Sequence, residues 1–331
     1  MPNGGNYLRN RLCKICAWHD LSVSFDGAAK VRTPVNPMAC PNCHGSLDTR
    51  QSGAICLSCS ATYPALEGGY LNLMPPSSTI ALTPSDEYLA EQIDSGADRA
   101  ERWLSRQLRH GDRSALDVGC GTGSIGKIIA ELYPAVDVWG VDLPGNLPGW
   151  RNAGANPDRV VAGSALDLPF ESGKFDLVWS IGVIEHIGEP NPPTGRAADR
   201  LRYVSEMMRV LRPGGRAIIV APHKWFPLDP AHDFSKSEWI HRLFARTHLG
   251  LHPTWGPHPL MSFGEVRRLA REAGASKTRP LGMADYFNFA GLGSARAASL
   301  VPAARFYLNH LPGWMGATPL APFLAVELTR A

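Results

Sequence analysis

The run Ala115-Leu-Asp-Val-Gly-Cys-Gly-Thr-Gly123 constrains this chain more than any other stretch. An apolar strand enters three glycines at alternating positions and continues into Ser124–Leu132, which reads as a helix. Backbone N–H groups therefore converge where a small ligand can approach the chain closely. Taken alone, the pattern says only that a nucleotide-like ligand sits at a strand–helix turn. A dinucleotide turn needs Gly-x-Gly-x-x-Gly, and Gly126 completes that spacing as well, so a nicotinamide cofactor stays open at this point.

Strands and helices alternate around the turn. Residues 114–118, 136–141, 159–161, 173–179 and 216–221 read as strands, as do 278–282 and 323–328. Helices are expected at 124–132, at 197–211 and after the capping-box signature Ser262-Phe-Gly-Glu265. This order specifies an α/β fold with a mostly parallel sheet covered on both faces. Asp142 closes the second strand, where a carboxylate accepts from ribose hydroxyls whichever nucleoside is bound. Asp117, closing the first, holds the loop or a cofactor amino group; two such carboxylates suit a ligand with both an ammonium and a diol.

Six of the seven cysteines form Cys-x-x-Cys pairs, Cys13/Cys16, Cys40/Cys43 and Cys56/Cys59. The chain shows no apolar run of about 18 residues and no export-type N-terminal segment, so a cytoplasmic protein without a transmembrane segment is expected. In that setting the pairs favour metal over disulfides. Cys40, Cys43, Cys56 and Cys59 offer four thiolates to one tetrahedral Zn²⁺ with no open position, which makes the metal structural. A ribbon this small has almost no core of its own, so zinc supplies much of its folding free energy. Cys13 and Cys16, even with His19, lack an evident fourth ligand. The formal charge of +3 over 331 residues does not by itself call for a polyanionic partner. The expected organisation is an irregular leader at 1–35, a zinc ribbon at 36–76, a Pro-Pro-Ser-Ser-Thr linker and a catalytic domain at 85–331, with insertions near 223–260 and 284–318.

Cys40-Pro-x-Cys43-x-Gly45-x-Leu47, Cys56-x-x-Cys59-x-x-x-Tyr63-Pro64 and Gly68-Gly-Tyr-Leu-Asn-Leu73 resemble the zinc ribbon of small Trm112-like proteins. Residues 115–222 resemble the class I S-adenosylmethionine-dependent methyltransferases, type 11-like. The matching pieces are Leu116-Asp-Val-Gly-Cys-Gly-Thr-Gly123, Asp142, Asp167-Leu-Pro-Phe170, Phe175-Asp-Leu-Val178, Glu185-His186 and Leu211-Arg-Pro-Gly-Gly215. Together they outweigh the dinucleotide reading. The resemblance implies a seven-stranded Rossmann-like methyltransferase sheet whose last two strands form an antiparallel hairpin. It also implies S-adenosyl-L-methionine held by Gly119, Cys120, Gly121 and Gly123, with Asp142 and Leu143 at the ribose, Ser164 and Ala165 at the adenine, and Ile181 bordering the methyl group. Many relatives carry Asp where this chain has Ser164, and a hydroxyl is a weaker acceptor for an adenine amino group.

Histidine titrates near neutrality, so His186 and His223 are the candidate general bases, with Glu185 orienting substrate or a neighbouring histidine. Trp225, Phe226, His232 and Tyr286 are the candidate substrate contacts, on loops where an α/β domain builds such contacts. The expected activity is O-methylation of a small or carrier-linked metabolite: a natural product, sugar or lipid precursor. An RNA nucleobase is the alternative acceptor, and a zinc-ribbon interaction protein with a cofactor-sensing domain is the non-enzymatic one. A homodimer, and a lid or lipid-substrate patch at 284–318, are further expectations.

Overall fold

The computed structural model describes residues 36–75, 89, 93, 96, 98–188, 193–226, 259–287 and 295–331. Pro37–Ala331 form one compact unit. Its first part is an antiparallel meander of β1 (Leu47–Arg50), β2 (Gly53–Cys56) and β3 (Thr62–Pro64). The main sheet comprises β4 (Ser114–Val118), β5 (Asp137–Asp142), β6 (Val160–Ala162), β7 (Phe175–Ile181), β8 (Leu211–Pro222), β9 (Ala275–Pro280) and β10 (Phe323–Arg330). Their order is β6-β5-β4-β7-β8-β10-β9, parallel except that β10 runs antiparallel to both neighbours. The helices are α1 (Ser124–Leu132), α2 (Leu147–Ala153), α3 (Pro193–Val210), α4 (Phe263–Glu272) and α5 (Ala295–His310). This is the seven-stranded Rossmann-like methyltransferase sheet with a small Cys-bearing ribbon.

Alternating strand residues feed two cores. Leu116, Val118, Trp139, Val141, Val178, Ala217 and Ile219 pack with Tyr203, Val204 and Met207 of α3 and with Val266 and Leu269 of α4. Ala115, Val138, Leu177, Trp179, Ile218 and Val220 pack on the other face with Trp103, Leu104 and Ile129. A central strand with cover on both faces has to be nearly continuous in apolar residues, and Phe175–Ser180 is buried throughout. The expected capping box is present: Ser262 Oγ accepts the Glu265 N–H and Glu265 Oε2 accepts the Ser262 N–H. Two strands begin earlier than in the sequence reading. Strand β8 begins at Leu211, because Leu211 pairs with Phe175 and, after the irregularity formed by Arg212-Pro-Gly-Gly215, pairing resumes at Arg216 opposite Leu177. Strand β9 begins at Ala275, since Gly274 turns the chain directly out of α4 into the sheet.

The ribbon has no separate interior. Cys40, Ala54, Cys56, Tyr63, Leu71 and Leu73 belong to the same buried cluster as Val161, Leu168 and Phe170 of the main domain. Residues 71–73 add to the open edge of β6, where the Leu73 N–H donates to Ala162 O at 2.7 Å and the Ala162 N–H donates to Leu71 O at 2.8 Å. On the other side, Ala39 N–H donates to Pro169 O at 2.9 Å and Glu171 N–H to Pro37 O at 2.8 Å. The ribbon thus covers a sheet edge that otherwise presents unpaired backbone groups, and it grips the 163–171 segment from both ends.

Candidate active site

The glycine turn is fixed by bonds to the neighbouring strand. Gly119 and Cys120 donate their N–H groups to Val141 O at 2.8 and 3.1 Å. Gly119 has φ of 75°, and a Cβ there sits 2.2 Å from Val183 Cγ2, so only glycine serves. The Gly121 N–H donates to Asp142 Oδ2 at 2.6 Å, and the Trp150 indole N–H donates to Gly121 O at 2.7 Å. The Gly123 N–H is taken by Cys120 O at 2.8 Å. The Cys120 side chain points into β5, where Gly140 leaves room for it, and burial pushes its thiol well up. Cys120 therefore keeps its sulfur in the core, and its backbone N–H and carbonyl are both bonded within the protein.

With these N–H groups spent inside the protein, the turn has little left to cradle a pyrophosphate. What it presents instead is acceptors. Asp142 Oδ1 takes the Leu143 N–H at 2.6 Å and Asn146 Nδ2 at 3.0 Å, while Asn146 Oδ1 is buried with no hydrogen-bond partner among the described residues. Burial raises Asp142 to about 6, against the pull of the Gly121, Leu143 and Asn146 donors. Asp117 is also buried, and its Oδ2 has no partner among the described residues. Burial takes it to about 8, the Trp179 indole opposing the rise and the Asp142 charge adding to it. Buried acceptors without donors are costly unless a ligand completes them. An ammonium near Asp117 and a ribose diol near Asp142 and Asn146 would do so, and S-adenosylmethionine carries both. Beside them Ser164 Oγ accepts the Leu166 N–H at 3.1 Å, which leaves its O–H as a donor, and Ala165 is half-buried.

The residues expected at the acceptor end lie past β7 and β8. Ile181 ends β7, and the Gly182 N–H returns to Val220 O at 2.8 Å. Glu185 is buried on this turn, its carbonyl receiving Arg200 Nη2 at 3.4 Å, whereas His186 is exposed. His223 is only 2% exposed. Its Nδ1 accepts the Trp225 N–H at 3.1 Å, and its Nε2 has no partner among the described residues. A neutral ring whose Nδ1 accepts carries its proton on Nε2. Burial depresses its pKa to about 4, with the Glu265 carboxylate opposing.

Trp225 is exposed beneath Lys224, whose Nζ lies 5.2 Å from the ring centre, while Phe226 is buried. Tyr286 sits in the core, edge-on to Trp103 at 5.3 Å and Phe287 at 5.0 Å and tilted against Phe323. His232, Cys13, Cys16 and His19 lie outside the described residues. Sequence reasoning missed Asn146, Trp179, Ser180 and Tyr203. The Tyr203 hydroxyl is fully buried without a partner of normal geometry among the described residues; burial raises it, Ser180 opposes, and Glu185 and Asp117 add to the rise. On the apolar face of α3 it reads as an ordinary core residue, so only burial in three dimensions reveals it.

The ribbon cysteines come together. All four Sγ atoms of Cys40, Cys43, Cys56 and Cys59 lie within 4.8 Å of one another, with Cys40–Cys59 at 3.7 Å and Cys43–Cys56 at 3.5 Å. A tetrahedron with metal–sulfur bonds of about 2.3 Å has edges of about 3.8 Å, so this set matches a four-thiolate zinc site. Burial opposes ionisation of Cys56, yet the Cys59 and Ser58 N–H groups bring its thiol down to about 6.

Comparison with known proteins identifies the domain that carries these residues. Residues 116–219 match the family described as a methyltransferase domain, and the chain carries a class I S-adenosylmethionine-dependent methyltransferase domain. It is 35% identical over 114 residues to a probable tocopherol O-methyltransferase of Oryza sativa, an overlap of 33% of this chain and 28% of that protein. It is 33% identical over 147 residues to a probable tRNA methyltransferase 9B of Mus musculus, covering 43% and 29%. With a demethylmenaquinone methyltransferase of Deinococcus radiodurans it shares 29% identity over 229 residues, 64% of this chain and 88% of the relative. The chain thus spans less than a third of the length of the first two.

Because Asp117 is protonated below about 8, pairing it with a cofactor ammonium releases a proton. Affinity for S-adenosylhomocysteine, measured by calorimetry in buffers of different ionisation enthalpy, is expected to rise from pH 6 to pH 8 by up to about tenfold per unit. Asp117→Asn should weaken binding and flatten that dependence. An affinity independent of pH in the unsubstituted protein contradicts the assignment.

Proposed function

We propose that the protein transfers the methyl group of S-adenosylmethionine to an oxygen of a small or carrier-linked metabolite. The reading rests on the character of the acceptor end. Its polar groups, His223, Glu185 and Tyr203, are buried, and cations near it are engaged within the protein: Lys224 Nζ bonds Glu265 at 2.8 Å and Arg200 Nη2 bonds Pro259 O at 2.5 Å. Such an environment suits a mostly uncharged ligand and offers little to a phosphate backbone. The tocopherol and demethylmenaquinone names of two relatives support a small metabolite. The name of the mouse relative supports the alternative, an RNA base.

When bound, the cofactor supplies a methyl on a positively charged sulfonium, and in-line alignment can account for much of the rate. In this reading the Gly119–Gly123 backbone and Asp117 hold the methionine part, Asp142, Leu143 and Asn146 the ribose, and Ser164 and Ala165 the adenine. Ile181 borders the methyl group, and Trp225, Phe226 and His232 remain the proposed surround of the acceptor, whereas Tyr286, expected there, is buried against Trp103 and Phe323. His223 takes a different role from the base expected of it. Receiving a proton at Nε2 from the neutral ring requires Nδ1 to carry hydrogen toward the Trp225 N–H, a donor facing a donor. We therefore assign His223 as an N–H donor that orients the acceptor oxygen.

We further propose that the Cys40, Cys43, Cys56 and Cys59 set is a Trm112-like structural zinc site. Tyr70 carries the ribbon's influence toward the glycine turn. Its hydroxyl donates to Ala155 O at 2.8 Å, its ring lies 5.2 Å from that of Trp150, and Trp150 bonds Gly121.

Purified protein given labelled cofactor and fractionated extract should label a low-molecular-mass product; label confined to RNA contradicts the proposal. On that product, His223→Gln, which keeps an N–H donor, should retain activity within about tenfold, while His223→Leu should lose about a hundredfold. The rate should show no ionisation from His223 between pH 5 and pH 8. A Gln variant as inactive as Leu, with a rate climbing through a histidine pKa, restores the base. Elemental analysis should find one zinc per chain, and chelation should lower both the melting temperature and the affinity for S-adenosylhomocysteine. Unchanged affinity after complete zinc removal contradicts the coupling.

A further inference from the structure

The segment 163–171 carries the proposed adenine contacts but forms no strand or helix, so its shape is set by what it bonds. At its start the Gly163 N–H donates to Asp142 O at 2.8 Å, and the Asp167 N–H donates to Ser164 O at 3.2 Å, closing the turn that bears Ser164 and Ala165. At its end helix α3 takes over. Glu206 Oε2 accepts the Leu168 N–H at 2.7 Å, Arg209 Nη2 donates to Leu168 O at 2.9 Å, and Arg209 Nη1 donates to Phe170 O at 2.8 Å. Arg202, one turn earlier on α3, pairs with Asp167. The two ends of the segment meet at Pro169, whose Cγ lies 3.0 Å from a Cβ built on Gly163.

Every nitrogen of the Arg209 guanidinium is engaged. Besides the two carbonyls, Nε donates to Glu206 Oε1 at 2.7 Å, Nη2 to Glu206 Oε2 at 2.8 Å and Nη1 to Ser172 Oγ at 3.3 Å. The Arg209 and Glu206 side chains are only 19% and 13% exposed, and a bidentate pair so far withdrawn from water is directional as well as strong. A pair that only stabilised α3 would bond along the helix, whereas this one sends three bonds to the main chain of another segment. Ser164 brings no charge to the adenine edge, so recognition there depends on where the surrounding main chain is held.

With Ser164 and Ala165 bordering the adenine, as proposed above, we propose that Glu206 and Arg209 are positioning residues that hold this turn in register with the adenine edge and so set the preference for adenine over other purines. The probes are S-adenosylhomocysteine and S-inosylhomocysteine, titrated calorimetrically into the full zinc-loaded chain. Hypoxanthine exchanges the amino donor and ring acceptor of adenine for a carbonyl acceptor and a ring N–H, so the same edge meets reversed hydrogen bonding. The unsubstituted protein should bind the adenine form at least about tenfold more tightly. Arg209→Lys, which keeps the charge and loses the fork, should cut that preference to within about threefold. Glu206→Gln, which sets an amide N–H against an arginine donor, should do the same and decides the matter where the lysine variant fails to fold. Arg279→Met breaks an arginine–glutamate pair at the far edge of the sheet and should leave the preference unchanged. A preference that survives in the Arg209 and Glu206 variants, with affinity for both nucleosides falling equally, overturns the proposal, as does a comparable loss of preference in Arg279→Met. Binding of S-adenosylhomocysteine by the unsubstituted protein with no preference for adenine overturns the positioning role alone. No binding of it at all overturns the cofactor reading, and this role with it.

Discussion

The Asp142 carboxylate accepts the Gly121 N–H at 2.6 Å, and this bond ties the end of β5 to the turn after β4. It places an anion where the glycine turn's own N–H groups are already spent, which turns a generic nucleotide-binding loop into one that presents acceptors. Burial makes the arrangement unfavourable without a ligand: Asp142 lies near 6 and Asp117 near 8, both above the ordinary carboxylate range. A ligand carrying an ammonium and a diol relieves both, whereas a dinucleotide offers its ribose diol to Asp142 alone and brings an anionic pyrophosphate toward two carboxylates. The same electrostatics that select the cofactor thus disfavour the dinucleotide.

That bond is supported from outside the sheet. Trp150 holds Gly121 O, Tyr70 packs on Trp150, and Tyr70 belongs to the segment that leads from the ribbon onto the edge of β6. Residues 37–39, which lead into the ribbon, grip the 163–171 segment that borders the proposed adenine site. A module too small to fold on a core of its own therefore shares the core of the domain it adjoins, which is the physical basis of the proposed coupling between its cysteine set and the cofactor side of the sheet.

The parts legible in the sequence are those where local chemistry decides. The glycine turn, the strand endings at Asp117 and Asp142, the capping box of α4 and the Cys-x-x-Cys pairs depend on backbone demands or ligand spacing that few residue types satisfy. Edge addition by residues 71–73 was not legible, because it uses main-chain groups that every residue has. Tyr286 illustrates another limit: an aromatic in a loop reads as a substrate contact, yet it fills the space between Trp103 and Phe323. For His223 the sequence supplies a titratable ring, but only the Trp225 N–H at its Nδ1 fixes which nitrogen keeps the proton. Tyr203 and Asn146 carried no signal because their polar atoms matter only through what surrounds them.

The whole account turns on a sulfonium nucleoside completing the acceptors around Asp142. Calorimetric titration of zinc-loaded protein with S-adenosylhomocysteine, in parallel with a nicotinamide dinucleotide, tests this most directly. One equivalent of S-adenosylhomocysteine should bind, Asp142→Ala should abolish that uptake while leaving the fold intact, and the dinucleotide should produce no heat of binding. Saturable uptake of the dinucleotide with none of S-adenosylhomocysteine contradicts the account.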